Sequence, residues 1–132
     1  MSVFNIFRRS VTRAWVFAKL REASKHYCGA DFVEELPMSE QDELFRVISL
    51  TAKQVSKSLR IVDRVTIGLI LLAKLEMNAR NRRKIHEGCF SYIKEHRDRI
   101  SFRTINYLQS HLKEMGITPK DFKSIESAVT HP

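Results

Sequence analysis

Glycine and proline are scarce in this chain, four and three among 132 residues. So few turn-formers disfavour a many-stranded sheet and favour long helices. Cysteine is scarcer still. Cys28 and Cys89 are too few for a disulfide scaffold, and they predict free, mostly buried thiols in a reducing compartment. Membrane-length apolar runs are missing too. The uncharged stretch Val65 to Ala73 would rise only about 14 Å as a helix, well short of a bilayer core, so no transmembrane segment is expected. Near the start, Arg8, Arg9 and Arg13 break the apolar residues, which argues against a secretory signal and predicts an intracellular, cytoplasmic protein.

The motifs of known chemistry are also absent. There is no Gly-rich phosphate loop, no G-x-S-x-G, no H-E-x-x-H and no paired C-x-x-C. His26-Tyr27-Cys28 and His86-Glu87-Gly88-Cys89 offer two His and two Cys for zinc, but each pair has the wrong shape for common zinc modules. Buried thiols are the expected alternative. A Cys–His nucleophile would need a third orienting group that the sequence does not display. Carboxylates stand singly outside one acidic segment, so no acid/base pair is indicated. The chain is therefore read as non-catalytic, with no cofactor and no metal site.

What is present is a globular composition, 43% apolar and 29% charged, of a length that fits a single helical domain over residues 1–132. The pivotal stretch is Ile61 to Leu75, apolar on nearly every side of a helical projection and closed off by Asp63, Arg64 and Lys74. A short helix of that kind belongs inside other helices. Gly68 would let a neighbour approach closely. The expected fold is all-α: a bundle of five or six helices around this buried central helix, with the second and fourth as walls.

In order, the first helix is predicted over about Val3 to Tyr27. Phe4, Phe7, Val11, Trp15 and Ala18 share one face, while Ile6, Val16, Phe17 and Leu20 share a second with Arg9 and Arg13. One face suffices for docking on a core, so the other asks for a partner, and Phe4, Phe7, Trp15 and Phe17 are the candidate partner-binding residues. Wedging between two layers, a membrane-surface helix and a targeting peptide are the competing uses. Cys28-Gly29 ends this helix, and an acidic loop containing Pro37 follows. Ser39 opens the second helix, with the apolar stripe Leu44, Ile48, Thr51, Val55, Leu59 and Val62.

Opposite that stripe stand Arg46, Lys53, Lys57, Arg60 and Arg64, spaced 7, 4, 3 and 4. On a continuous helix they make a cationic ridge about 27 Å long, although Asp63 could cap a new helix and turn Arg64 aside. A second basic cluster, Arg80, Arg82, Arg83 and Lys84, falls where one helix closes and another begins; its charges favour a C-terminus, and if Asn81 caps the fourth helix they oppose the dipole there. The fourth helix carries Ile85, Cys89, Tyr92, Ile93, His96 and Ile100 as a core stripe, with His96 as a hydrogen-bonded interior histidine. Ser101 can start a fifth helix, whose buried side is Phe102, Ile105, Leu108, Leu112 and Met115. After Gly116, Thr118-Pro119-Lys120-Asp121 starts a last short helix. Its spacing is that of a helix-turn-helix, but Leu112, Asp121 and Glu126 fit an ordinary helical corner better.

Charge points to function. Six of the 15 acids lie between Gly29 and Glu43, where no Lys or Arg occurs, leaving nine acids against all 23 basic residues elsewhere. Such a field favours polyanions. The expected activity is contact with an anionic macromolecule, nucleic acid first, with phosphates on Arg46, Lys53, Lys57, Arg60, Arg64, Arg80, Arg82, Arg83 and Lys84. The alternative is a protein–protein module (adaptor, inhibitor or immunity factor) that uses the first helix and the acidic loop.

Overall fold

The computed structural model describes the backbone of residues 2–55 and 59–107, and the side chains of residues 13–55 and 59–106. Five helices pack against each other, and no strand occurs among the described residues: α1 (Ser2–Cys28), α2 (Met38–Val55), α3 (Ile61–Leu75), α4 (Ala79–Glu95) and α5 (Phe102–Tyr107). No described helix is long and apolar enough to cross a membrane.

α1 ends where Gly29 adopts φ +88°, the left-handed conformation that glycine reaches without a Cβ penalty. The loop after it is pinned from α1. Buried Ser24 donates from Oγ to the Ala30 carbonyl at 2.7 Å and accepts the Phe32 amide at 3.0 Å. Phe32 and Val33 are thereby turned into the core. The Pro37 carbonyl accepts the amides of Glu40 and Gln41, so α2 begins at Met38, one residue ahead of the expected Ser39.

α2 and α3 are separate helices. Arg60 is extended (φ −76°, ψ 168°), and its amide donates to Asp63 Oδ2 at 3.3 Å. Asp63 therefore closes the first turn of α3, as a carboxylate at the positive end of a helix should. Its other oxygen accepts the Ser101 amide at 2.8 Å, tying the start of α3 to the turn before α5. The carboxylate is only 1% exposed, so this polar tie lies inside the protein. Apolar all round, α3 touches α1, α2 and α4 and buries most of its length. A Cβ on Gly68 would sit 2.9 Å from both Leu20 methyls and 3.1 Å from Ile48 Cδ1, so the expected close approach occurs there.

Three expectations need correction. Asn78, not Asn81, caps α4: its side chain accepts the Asn81 amide at 3.0 Å, which places the basic cluster within the helix. On α2 the buried face is Leu44, Phe45, Ile48 and Ala52, while Thr51 and Val55 are only half-buried. It is rotated because α3 ends the stripe by starting a new helix. On α5 Thr104 and Ile105 are buried and Phe102 is 45% exposed. The expected Leu108, Leu112 and Met115 contacts and the corner at Gly116–Asp121 lie outside the described residues.

Pairing gives the helix directions. Leu20 meets Gly68 while Arg13 and Val16 lie beside Arg64, so α1 runs parallel to α3. Tyr27 meets Tyr92 and Cys28 meets Ile85 and Gly88, so α4 runs antiparallel to α1.

Candidate functional site

The cationic residues expected to meet phosphate fall into two groups, one running along α2 to the first end of α3 and one at the corner after α3. At the first end, the ridge expected on one continuous helix is interrupted before Arg60. Arg46 is exposed but neutralised by Glu43, with its Nε donating to Oε2 at 3.0 Å. That hydrogen bond raises the Arg46 pKa and lowers that of Glu43. Lys53 and Arg60 are exposed and form no ion pair with a described carboxylate. Arg64 is half-buried beside Phe45, Ile48 and Ser49, turned away from Lys53's outer face. Lys57 lies outside the described residues.

The second group occupies the α3–α4 corner. Arg80, Arg83 and Lys84 are exposed, and none reaches a described carboxylate. Arg82 is different. Its guanidinium folds back on the corner, donating to the Glu76 carbonyl at 3.2 Å and the Met77 carbonyl at 3.3 Å. It holds the turn together. Burial first, and then the Arg82 charge, push His86 below its ordinary pKa.

The acidic segment is folded against its own helix. Arg21 bonds Asp31 at 2.8 Å and Glu34 at 3.1 Å, and the Asp31 hydrogen bond raises the Arg21 pKa. Of the partner-binding candidates, Trp15 is 53% exposed on α1. Phe17 is half-buried, its ring 5.5 Å from that of Phe45. Phe4 and Phe7 belong to α1, and their side chains lie outside the described set.

Cys28 and Cys89 are buried and unpaired. Burial pushes the Cys28 thiol up to about 12 and raises Cys89 as well. Neither is ionised near neutrality, which leaves no thiolate nucleophile. Among the described residues no three His, Cys, Asp or Glu gather to hold a metal ion.

One feature was invisible in the sequence. Between α1 and α4 opens a cleft of about 300 Å³, lined by His26, Tyr27, Tyr92 and His96 and by Lys19 and Glu22, which pair at 3.6 Å. The rings touch in series. His26–Tyr27 and Tyr27–Tyr92 meet edge-on at 4.7 and 5.2 Å, and His96 stacks on Tyr92 at 4.0 Å. His96 Nδ1 lies 2.9 Å from the Tyr92 carbonyl, which fixes the imidazole on that ring. Far from being an interior residue, His96 is half-exposed and lines the opening. Burial and the Glu95 hydrogen bond push the Tyr27 phenol up to about 12, so it remains a neutral donor. Periodicity placed Tyr92 and His96 on a core stripe and said nothing of His26 and Tyr27, because their meeting depends on the register between two helices 65 residues apart, as Tyr27 and Tyr92 are. No protein-family model matches the chain, and no curated protein or solved structure matches it either.

Proposed function

We propose that this protein is a non-catalytic, basic helical module that holds the phosphates of a nucleic acid at the α3–α4 corner, with α3 as the hub on which the other helices assemble. The observation carrying this reading is the placement of Arg80, Arg83 and Lys84, exposed and without a described acidic partner, in the opening turns of α4. Arg80, in the first turn, opposes the helix dipole at a cost of roughly 0.3–1 kcal/mol, an effect that fades before Arg83 and Lys84 one turn on. A phosphate reverses that sign, because it meets the cations and the positive helix end together. Lys53 and Arg60 add a second contact region, while Arg46 and Arg82 are already engaged within the fold. Contacts of this kind position a polyanion without reading its sequence.

The test is fluorescence anisotropy with mixed-sequence DNA and RNA at two salt concentrations. Binding that weakens steeply with salt is expected, and the triple change Arg80→Glu, Arg83→Glu, Lys84→Glu should flatten the log–log salt slope by about 3. No binding at low salt, or an unchanged slope in the triple variant, overturns the reading. The exposed Trp15 favours a second one, a protein partner seated on α1, since a large aromatic side chain open to solvent on a helix face is a common anchor for such contacts.

A further inference from the structure

From the α1–α4 cleft we infer that the protein takes up one unstacked base of a single-stranded nucleic acid, a base bearing an exocyclic amino group, against the His26, Tyr27 and His96 rings. This rests on the phosphate-binding reading above and adds to it the form of nucleic acid recognised. The volume, about 300 Å³, is at the lower limit of ligand pockets, enough for a single ring system rather than an extended ligand. Its walls are π-faces and edges, the surfaces on which bases of single strands stack.

Glu22 lines the cleft in an ion pair with Lys19 at 3.6 Å, and because both side chains stay largely open to solvent its carboxylate keeps acceptor sites for an amino group. Such acceptors suit the amino groups of adenine, cytosine or guanine, and find no counterpart on uracil or thymine. Beyond Lys19, further cations flank the cleft. Lys25, next to His26, and Arg99, just past His96, are exposed and form no ion pair with a described carboxylate. Lys84 precedes Tyr92 by eight residues on α4, about 12 Å along the axis and about 80° around it, so one strand can engage the basic corner and the cleft together. A duplex keeps its bases stacked and cannot enter.

Anisotropy titrations with short oligo(A), oligo(U) and a duplex of equal length, each as RNA and as DNA, test this. Oligo(A) should bind more tightly than both others. His26→Ala and His96→Ala should weaken oligo(A) about tenfold while leaving duplex affinity and the salt slope unchanged; His96→Gln, which keeps a polar group but no ring, should behave like His96→Ala. Equal affinity for single strand and duplex, or unaltered oligo(A) binding in both Ala variants, overturns the inference. If no polymer binds, the cationic reading has failed by itself. Titration with AMP and UMP, followed by NMR at the Tyr27, His26 and His96 rings, then decides the cleft. Shifts at these rings with AMP and smaller ones with UMP uphold it, and their absence refutes it.

Discussion

Replacing Gly88 by alanine probes the contact that makes the cleft. α1 and α4 approach so closely there that a Cβ would lie 2.8 Å from the Tyr27 carbonyl carbon and oxygen, and nearer still to Cys28 Sγ. The backbone contact falls about 0.6 Å short of the 3.4 Å at which ordinary Cβ packing begins. A thiol can rotate aside; a helical carbonyl cannot, so the helices must separate. Overpacking of this kind costs about 3 kcal/mol, the upper part of its usual range. The gain in helix propensity returns about 1 kcal/mol. A net loss of about 2 kcal/mol is expected, or a fall in Tm of roughly 6–10 °C for a chain of this size. Gly68→Ala is the control. Its Cβ would meet only the ends of the Leu20 and Ile48 side chains, at 2.9 and 3.1 Å, and these can shift. Its cost and its propensity gain should therefore cancel to within about 1 kcal/mol. Urea unfolding followed by helical circular dichroism measures both. Adding Cys28→Ala to Gly88→Ala should restore only part of the loss, because the Tyr27 carbonyl remains. If Gly88→Ala is as stable as the parent, or Gly68→Ala is the more damaging of the two, this account of the α1–α4 packing is wrong.

Asp63→Ala strips the Arg60 and Ser101 amides of their acceptor and should destabilise the protein by about 2–3 kcal/mol, with faster amide exchange at Ser101; unchanged protection at Ser101 would count against the tie. His86 gives a pH dependence of known sign. Its folded pKa lies below the ordinary 6.5, so the unfolded chain takes up the proton first, and stability falls as pH drops through about 6.5 towards the folded value. His86→Gln should show a weaker loss in thermal melts between neutral and mildly acid pH, and an identical pH profile would exclude this role.

Much of the scaffold was legible because its signals are local. The end of the first helix at Cys28-Gly29 and the limits of Ile61–Leu75 follow from backbone freedom and from an uninterrupted apolar stretch. Asn78 and Asn81 show the limit of such reading. Both are competent caps, and which one accepts an amide depends on where α3 releases the chain. The two apolar faces of α1 were equally visible. Only packing chose between them, burying Val16, Leu20 and Ala23 and leaving Trp15 exposed, because α3 and α4 lie on that side.

By itself the sequence determined the helical class and the uneven charge, since each depends on composition or on periodicity within one segment. The tertiary structure decided which cations stay available and which aromatic rings share a cleft. Arg46 meets Glu43 one turn back within its own helix, whereas Arg82 reaches the Glu76 and Met77 carbonyls only because the α3–α4 corner folds as it does. Tyr27 and Tyr92 meet only because Gly88 lets two distant helices close on each other. Side-chain spacing within a helix is set by the backbone repeat, whereas proximity between helices is set by the volumes that pack between them.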